Sequence, residues 1–437
     1  MDEASASCQP RIRIVPPSKT AGPSLCPREM VRDTRRALRL PDSGKIVAAG
    51  HAPQNWHPGI LSKFIAMRTL SQEMNAASVI LNIDTVAGDP GLIDVPFIDL
   101  DGLPCSSSIR LFDSLPDRSL GMQPACEPAD LSWLDGMPDL DGEPLQRFSS
   151  AVREAGGDLS LANQITRALI DITRSWIGRP NVLNASRLLK TPCGEWLLEK
   201  MQRDASRCSE AYNAAVSVDP DAGIRPLDIH KGELPLWDIR GDQRRTARRQ
   251  DLDESNVLPK ALLTTAIMRL AGCDLFIHGT GGARYDALME GWLRQWLDVE
   301  VAPFMMVTAD VQLPLPDAEG IARLGQGLVS HDRRAFHDPE SLSVPLDSPG
   351  PQKRAALESI RSAPRGSEER RAAFTSMHET LATLRPENPP PARAIADRIR
   401  DARRTSSRRD WHVVFYAGEV LDMLADQIDA AVVDQTR

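Results

Sequence analysis

The stretch KIVAAGHAPQNWHPGILSKFIAMRTLSQEMNAASVILNIDT, Lys45 to Thr85, decides the fold. KIVAAGH is an apolar run that ends at a glycine, as a buried strand does. Pro58-Gly59 then opens a pattern in which Ile60, Phe64, Met67 and Leu70 recur at helical spacing. ASVILNIDT (77–85) is a second apolar strand, rich in Val and Ile. Strand, helix and strand in so short a span make a βαβ unit, and its crossover requires parallel pairing. Two of the eight histidines, His51 and His57, stand where the first strand gives way to the helix.

The same pattern returns far downstream. PKALLTTAIMRLAG (259–272) is helical, with Pro259 at the first position. CDLFIHGTGG (273–282) is a strand running into a glycine turn. ARYDALMEGWLRQWL (283–297) is helical again, and APFMMVTAD (302–310) is another buried strand. The expected class is α/β, with a Rossmann-like parallel sheet core split by a mainly helical insertion and followed by a helical hairpin or coiled-coil arm. The boundaries are a flexible lead-in (1–40), the first half of the core (41–125), the insertion (126–250), the second half of the core (251–335), the arm (336–410) and a C-terminal strand and helix packed on the core (411–437). In the insertion, LANQITRALIDITRSWI (161–177) and CGEWLLEKMQRDASRCSEAYNAAV (193–216) repeat apolar residues at three- and four-residue steps. In the arm, Phe374, Met377, Leu381 and Leu384 form one stripe, and Ile395, Ile399 and Ala402 another.

Composition narrows the function classes. At 437 residues the chain exceeds one ordinary core, and 41% hydrophobic with 26% charged residues is a globular balance. No run approaches the roughly 20 apolar residues of a membrane span, and the first residues lack the apolar centre of a secretory leader. Seven scattered cysteines without a C-x-x-C pair argue against a disulfide framework and a structural zinc site, so a reduced cytoplasm is expected. A net charge of -8 gives no reason to expect a polyanionic partner over the whole surface. The basic runs RRTARRQ (244–250) and RIRDARRTSSRR (398–409) lack interleaved aromatics and suit exposed segments better than nucleic acid.

In an open parallel sheet, ligands settle beyond the carboxyl ends of the strands, where loops enter helix N-termini. Both unusual loops fall there. In the first, His51, Asn55, His57 and Gly59 could meet a phosphate or carboxylate: a helix start offers free N–H groups, and imidazole adds a donor. In the second, His278, Gly279, Gly281 and Gly282 form a glycine turn of the same kind, although the spacing matches neither a Walker loop nor G-x-G-x-x-G. Asp84 and Asp89, after the second strand, could hold an amine or a metal. Each has a plainer alternative: a loop histidine that caps or packs, a tight turn, an aspartate that is solvated or caps a helix. No serine sits in a nucleophile elbow, no H-E-x-x-H occurs, and no metal site is read from the sequence.

His57-Pro58-Gly59-Ile60 resembles the H-x-G-H signature of class I nucleotidyltransferases and synthetases, with Ile60 in place of the second histidine. The two loops together resemble the bacillithiol biosynthesis cysteine-adding enzyme family. His51-Ala52-Pro53 keeps two residues of that family's H-Q-P turn. His278-Gly279-Thr280-Gly281-Gly282-Ala283-Arg284-Tyr285 keeps Gly279, Gly281 and Tyr285 of its G-G-P-G-E-x-x-Y loop, with Gly282 where the family has Glu. EAYNAAV (210–216) is similar to its Y-N-x-A-V run. The resemblance implies a ligase-like or transferase-like enzyme that joins a small amine or amino acid to a polar anionic acceptor, and a homodimer formed through the helical arm. On that reading His51, His57 and Asp84 are catalytic, while Asn55, Gly59, His278, Gly279, Gly281, Gly282 and Tyr285 bind substrate. ATP with Mg²⁺ is the implied cofactor. The alternative is a non-catalytic binding or assembly protein that keeps the fold.

Overall fold

A computed structural model describes residues 9–17, 26–136, 142–157, 159–240, 243–252, 256–339, 350–383 and 392–436. The chain divides into two units. One comprises residues 1–95, 108–314 and 409–437, and the other residues 96–107 and 315–408.

The first unit is built on a six-stranded sheet. Its strands are β1 (Arg11–Val15), β2 (Ile46–His51), β3 (Ala77–Asn82), β6 (Asn181–Asn184), β10 (Leu275–His278) and β11 (Phe304–Asp310), in the spatial order β1-β11-β10-β2-β3-β6. All neighbours pair in parallel except β1, which runs antiparallel along β11. Taken along the chain, the five parallel strands follow the 3-2-1-4-5 order of a doubly wound Rossmann sheet. The expected α/β core is therefore present. Its two halves are joined where Leu275, Phe276 and Ile277 pair with Val47, Ala48 and Ala49. Asp274 fixes that register: its carboxylate accepts from the Ile46 amide at 2.7 Å and from Arg35 at 2.9 Å, and its own N–H donates to the Ile46 carbonyl.

Helices cover both faces. On one side α1 (Arg28–Ala37), α5 (Pro192–Arg203), α6 (Ala205–Val216), α7 (Ala261–Ile267, continued by a π turn to Gly272) and α8 (Thr280–Leu297) share an apolar cluster with Ile46, Ala48 and Phe276. On the other side lies α2 (Pro58–Glu73), buried on almost every face from Pro58 to Ser71 because α13 (Gly418–Thr436) packs on it from outside. Asp429 of α13 accepts from Arg68 and Thr69 of α2. The helices α3 (Glu143–Glu154) and α4 (Leu161–Ile177) pack together, and α4 also meets α2. Two strands, β4 (Leu92–Ile98) and β5 (Pro104–Arg110), pair as a hairpin. A separate three-stranded sheet holds β7 (Glu233–Asp238) between β8 (Arg245–Arg248) and β9 (Val257–Pro259).

Three expectations need correction, and the mainly helical insertion also carries strands. Residues 1–40 are not wholly a flexible lead-in. RIRIV forms β1 with Ile12 and Ile14 turned further from solvent than Arg11, Arg13 and Val15, and α1 anchors through buried Arg35. The insertion is not only helical, since β6 completes the sheet edge. The four-residue strand has only Leu183 fully buried, too little apolar signal to show. Pro259 ends β9, and the helix begins at Ala261. At the C-terminus the expected strand is a short turn, Val413–Phe415, tied down by the Val413 amide to the Trp56 carbonyl and by the Tyr416 hydroxyl to the Val311 carbonyl.

The second unit holds α9 (Ala318–His337), α10 (Pro351–Ser362), α11 (Glu368–Thr383) and α12 (Ala392–Ser407). The hairpin is formed by α10 and α11, with Met377 and Leu381 on Ile360; Phe374 is 52% exposed, and Leu384 lies outside the described residues. The second stripe, Ile395, Ile399 and Ala402, belongs to α12, whose Ile399 and Ala402 pack with Ile321 and Leu324 of α9.

One close approach seats α2. A side chain at Gly59 would put its Cβ 2.8 Å from the Ala309 carbonyl of β11 and 2.9 Å from the His57 ring. Gly59→Ala is expected to cost about 1–3 kcal/mol of stability, read as a lowered urea midpoint with unchanged slope.

Candidate active site at the carboxyl edge of the sheet

The connections after β2 and β10 leave adjacent parallel strands toward helices on opposite faces, which is the topological switch point of this fold. His278 follows Ile277, which is level with Ala49, so both loops begin at the same edge. Their side chains diverge. Strand alternation turns Gly50 toward Phe276 and His51 the other way. His51 meets Lys63 of α2, and His278 meets Asp286 of α8. The two imidazoles therefore flank the edge from either side of the sheet.

The least ordinary group there is Lys63, which the sequence reading passed over. It is 4% exposed, its Nζ donates to the Gly50 carbonyl at 2.5 Å, and it lies 3.4 Å from Nδ1 of His51. Among the described residues no carboxylate lies within ion-pair distance, and burial alone pushes the ammonium down to about 7. With Lys63 donating to Nδ1, the His51 proton rests on Nε2. Burial, then the Lys63 charge, holds His51 well below the usual histidine value, so it is neutral.

His57 is the cap of α2. Its Nδ1 accepts from the Gly59 amide at 3.1 Å, and its carbonyl accepts from Ile60 and Leu61. The first-turn amides expected to meet an anion are thus already taken by His57 itself. Burial pushes its imidazole down to about 4. Asn55 is exposed and donates to the Asp410 carbonyl at 3.0 Å, fastening the loop to the C-terminal segment. Asp84 is buried and accepts from the Ser186 amide at 2.8 Å and its hydroxyl at 2.5 Å, with burial as the larger influence raising its pKa. Asp89 pairs with Arg110 at 2.7 Å.

The second loop is open where the first is closed. Gly279 caps α8 without a side chain, so Thr280, Gly281 and Gly282 form the helix's first turn, and a Cβ at Gly279 or Gly281 would meet nothing within 4 Å. These amides carry the partial positive charge of an uncapped helix start. At Gly282 a Cβ would fall 2.3 Å from Nδ1 of His278, so only glycine lets the imidazole lie under the turn. His278 is itself held by Asp286 at 2.6 Å, a carboxylate also bound by buried Arg269 at 2.7 Å. Tyr285 packs against the apolar cluster. Among the described residues no group of three or more His, Cys, Asp or Glu could hold a metal ion, and no helix is long and apolar enough to cross a membrane.

No family model matches the chain, and no curated protein matches it. Among solved structures it is similar to a tyrosyl-tRNA synthetase complexed with L-tyrosine from Archaeoglobus fulgidus, at 11% identity over 86% of this chain and 94% of that one, with a TM-score of 0.27. It is also similar to a tryptophanyl-tRNA synthetase from Plasmodium falciparum, at 8% identity over 90% and 96%, with a TM-score of 0.27. Overlap this low says nothing of activity or substrate.

Capping by His57 predicts that His57→Ala loses about 1 kcal/mol of stability, while His57→Asn, which can also accept from a backbone amide, loses little. The same residue shapes the acid response. The folded pKa of His57 lies below that of the unfolded chain, as does that of buried His412, at about 3. Their contributions are complete above pH 6.5 and are lost as pH falls toward 4 and 3. Urea midpoints should therefore begin to drop below pH 6.5, by up to about 1.4 kcal/mol per pH unit for each histidine, and less steeply in His57→Asn.

Proposed function

We propose that the edge between β2 and β10 is the active site of a ligase-like or transferase-like enzyme that joins a small amine or amino acid to an anionic acceptor. The observation that carries this is Lys63, a buried amine with no counter-ion, poised near neutrality beside His51. Such a group is costly to the fold and useful to chemistry. As the neutral amine, Lys63 takes a proton from the attacking ammonium or amine of the substrate; as the resulting cation, it offsets negative charge growing on the acceptor. His51 positions Lys63 and keeps its own proton on Nε2. The open amides of Thr280, Gly281 and Gly282 hold the acceptor's anionic group, with His278 beneath them.

Those amides also fit a phosphate of ATP, which when bound would supply a phosphoryl or adenylyl group to activate the acceptor's carboxylate. Mg²⁺ would arrive with the nucleotide, since the described residues offer no cage for it. A cysteine-like amine as substrate and pairing of two copies through the helical arm belong to the same reading and rest on the sequence resemblance, while a cytoplasmic location rests on the scattered cysteines without a C-x-x-C pair. One observation favours the second reading, binding without catalysis: His57, Asn55 and Asp84 are all engaged within the protein.

Thermal shifts with pyrophosphate, and phosphate or pyrophosphate release from ATP with a mixture of amino acids, separate the two. Wild type should be stabilised by pyrophosphate. Gly281→Asp, which puts a carboxylate in open space at the helix start, should keep its own melting temperature and lose that response. Lys63→Met should gain about 1–3 kcal/mol of stability by removing a buried amine with no counter-ion, and should lose all release. Pyrophosphate binding without release under any amino acid would favour the binding protein. No stabilisation, or full release by Lys63→Met, would end the catalytic proposal.

A further inference from the structure

A second polar site lies away from that edge, at the outer border of the sheet. A cavity of about 420 Å³ runs between one face of α4 and the edge strand β6. On α4 the residues Asn163, Arg167, Ile170 and Arg174 recur at four-, three- and four-residue steps, so they share one face. On the other wall, Val182 and Asn184 alternate along β6, with Arg179 before the strand and Arg187 after it. Four arginines thus line one small groove. Among the described residues none of the four has a carboxylate within ion-pair distance; Arg187 alone has a protein acceptor, the Ala37 carbonyl at 3.5 Å. In a chain of net charge -8, this concentration of unpaired cations is not explained by the general balance.

The two asparagines on the groove walls share one buried partner. The register aligns His51 with Asn82, and Asn82 with Asn184, in one row on one face. Asn82 is 0% exposed and donates to both Asn163, at 3.3 Å, and Asn184, at 3.1 Å, the two amides that line the groove. Its own Oδ1 is buried without a partner. A buried acceptor left unpaired costs about 1–3 kcal/mol, a cost the fold carries at the residue that holds both groove-lining asparagines in place.

We propose that this groove binds a multiply phosphorylated small molecule of nucleotide size. Guanidinium groups match phosphate oxygens two at a time. Ile170 and Val182 offer an apolar surface between the arginines for a planar or hydrocarbon part. The volume falls within the roughly 300–1,000 Å³ range of small-molecule pockets, and two facing walls that bring four arginines around it suit a compact, multiply charged ligand. The site is independent of the reading of the β2–β10 edge, although the shared row leads from one to the other.

The probe is adenosine 3′,5′-bisphosphate, followed by calorimetry on the full chain without Mg²⁺. Wild type should bind it saturably. Arg167→Gln and Arg174→Gln, exposed positions whose loss leaves no carboxylate unpaired, should each weaken binding about tenfold, the worth of one charge-assisted hydrogen bond. Gly281→Asp should leave this affinity unchanged, which keeps failure here distinct from failure at the other site. Three outcomes would overturn the proposal. One is no heat at millimolar bisphosphate, as expected if the arginines only guard a sheet edge. Another is an affinity indifferent to both substitutions. The third is tighter, steeply salt-dependent binding of oligo(dT), which would make the groove a nucleic-acid surface.

Discussion

The parallel pairing of β10 with β2 is the contact on which the rest depends. It joins segments more than 220 residues apart, and Asp274 secures it at the start of both strands: its carboxylate accepts from the Ile46 amide, its own amide donates to the Ile46 carbonyl, and the carboxylate also holds Arg35. Without that register, the helices α2 and α8 would not leave neighbouring strands toward opposite faces, and there would be no switch point. The closure entropy of so long a loop grows only slowly with its length. A few well-placed bonds and the apolar cluster around Phe276 are enough to hold it.

The parallel core was legible because its strands are short apolar runs flanked by glycine and proline, and because buried parallel strands need little polar alternation. The elements that escaped notice are those whose burial is one-sided or slight. RIRIV alternates cleanly, yet it sits alone before a segment rich in proline and small residues. NVLN reaches the sheet with a single buried leucine. WHVVFYA reads as a strand by composition, but its apolar side chains are buried by packing around a turn, with single tethers in place of a ladder. Hydrophobicity reports burial; it does not report which backbone partners are available.

The site was legible in place more than in role. Both loops lie at the expected edge, but histidine spacing could not say which groups the protein keeps for itself. His57 and Asn55 are spent on a cap and a tether, and Asp84 on Ser186. The glycine turn, the weaker motif by its spacing, proved to be the open one, because Gly279 and Gly281 face empty space and cannot cap. Lys63 left a faint trace in the sequence: a single lysine in ILSKFIAM, between residues of an apolar stripe. On an amphipathic helix it would snorkel to water. Here the side chain is instead buried with its ammonium on the Gly50 carbonyl at the end of β2, a contact that no local pattern foretells.

That burial links stability to chemistry. The helix α2 is buried on almost every face between the sheet and α13, so its polar side chains need partners inside the protein, as Arg68 and Thr69 find in Asp429. A methionine would suit that burial better than Lys63, whose ammonium loses its hydration and gains only a carbonyl and an imidazole in return. The same loss of hydration is what brings the amine to about 7, where it can accept and release a proton. An exposed lysine, fully charged at neutral pH, could do neither. The destabilising feature and the useful one are therefore a single property of one side chain, set by how completely the protein buries it.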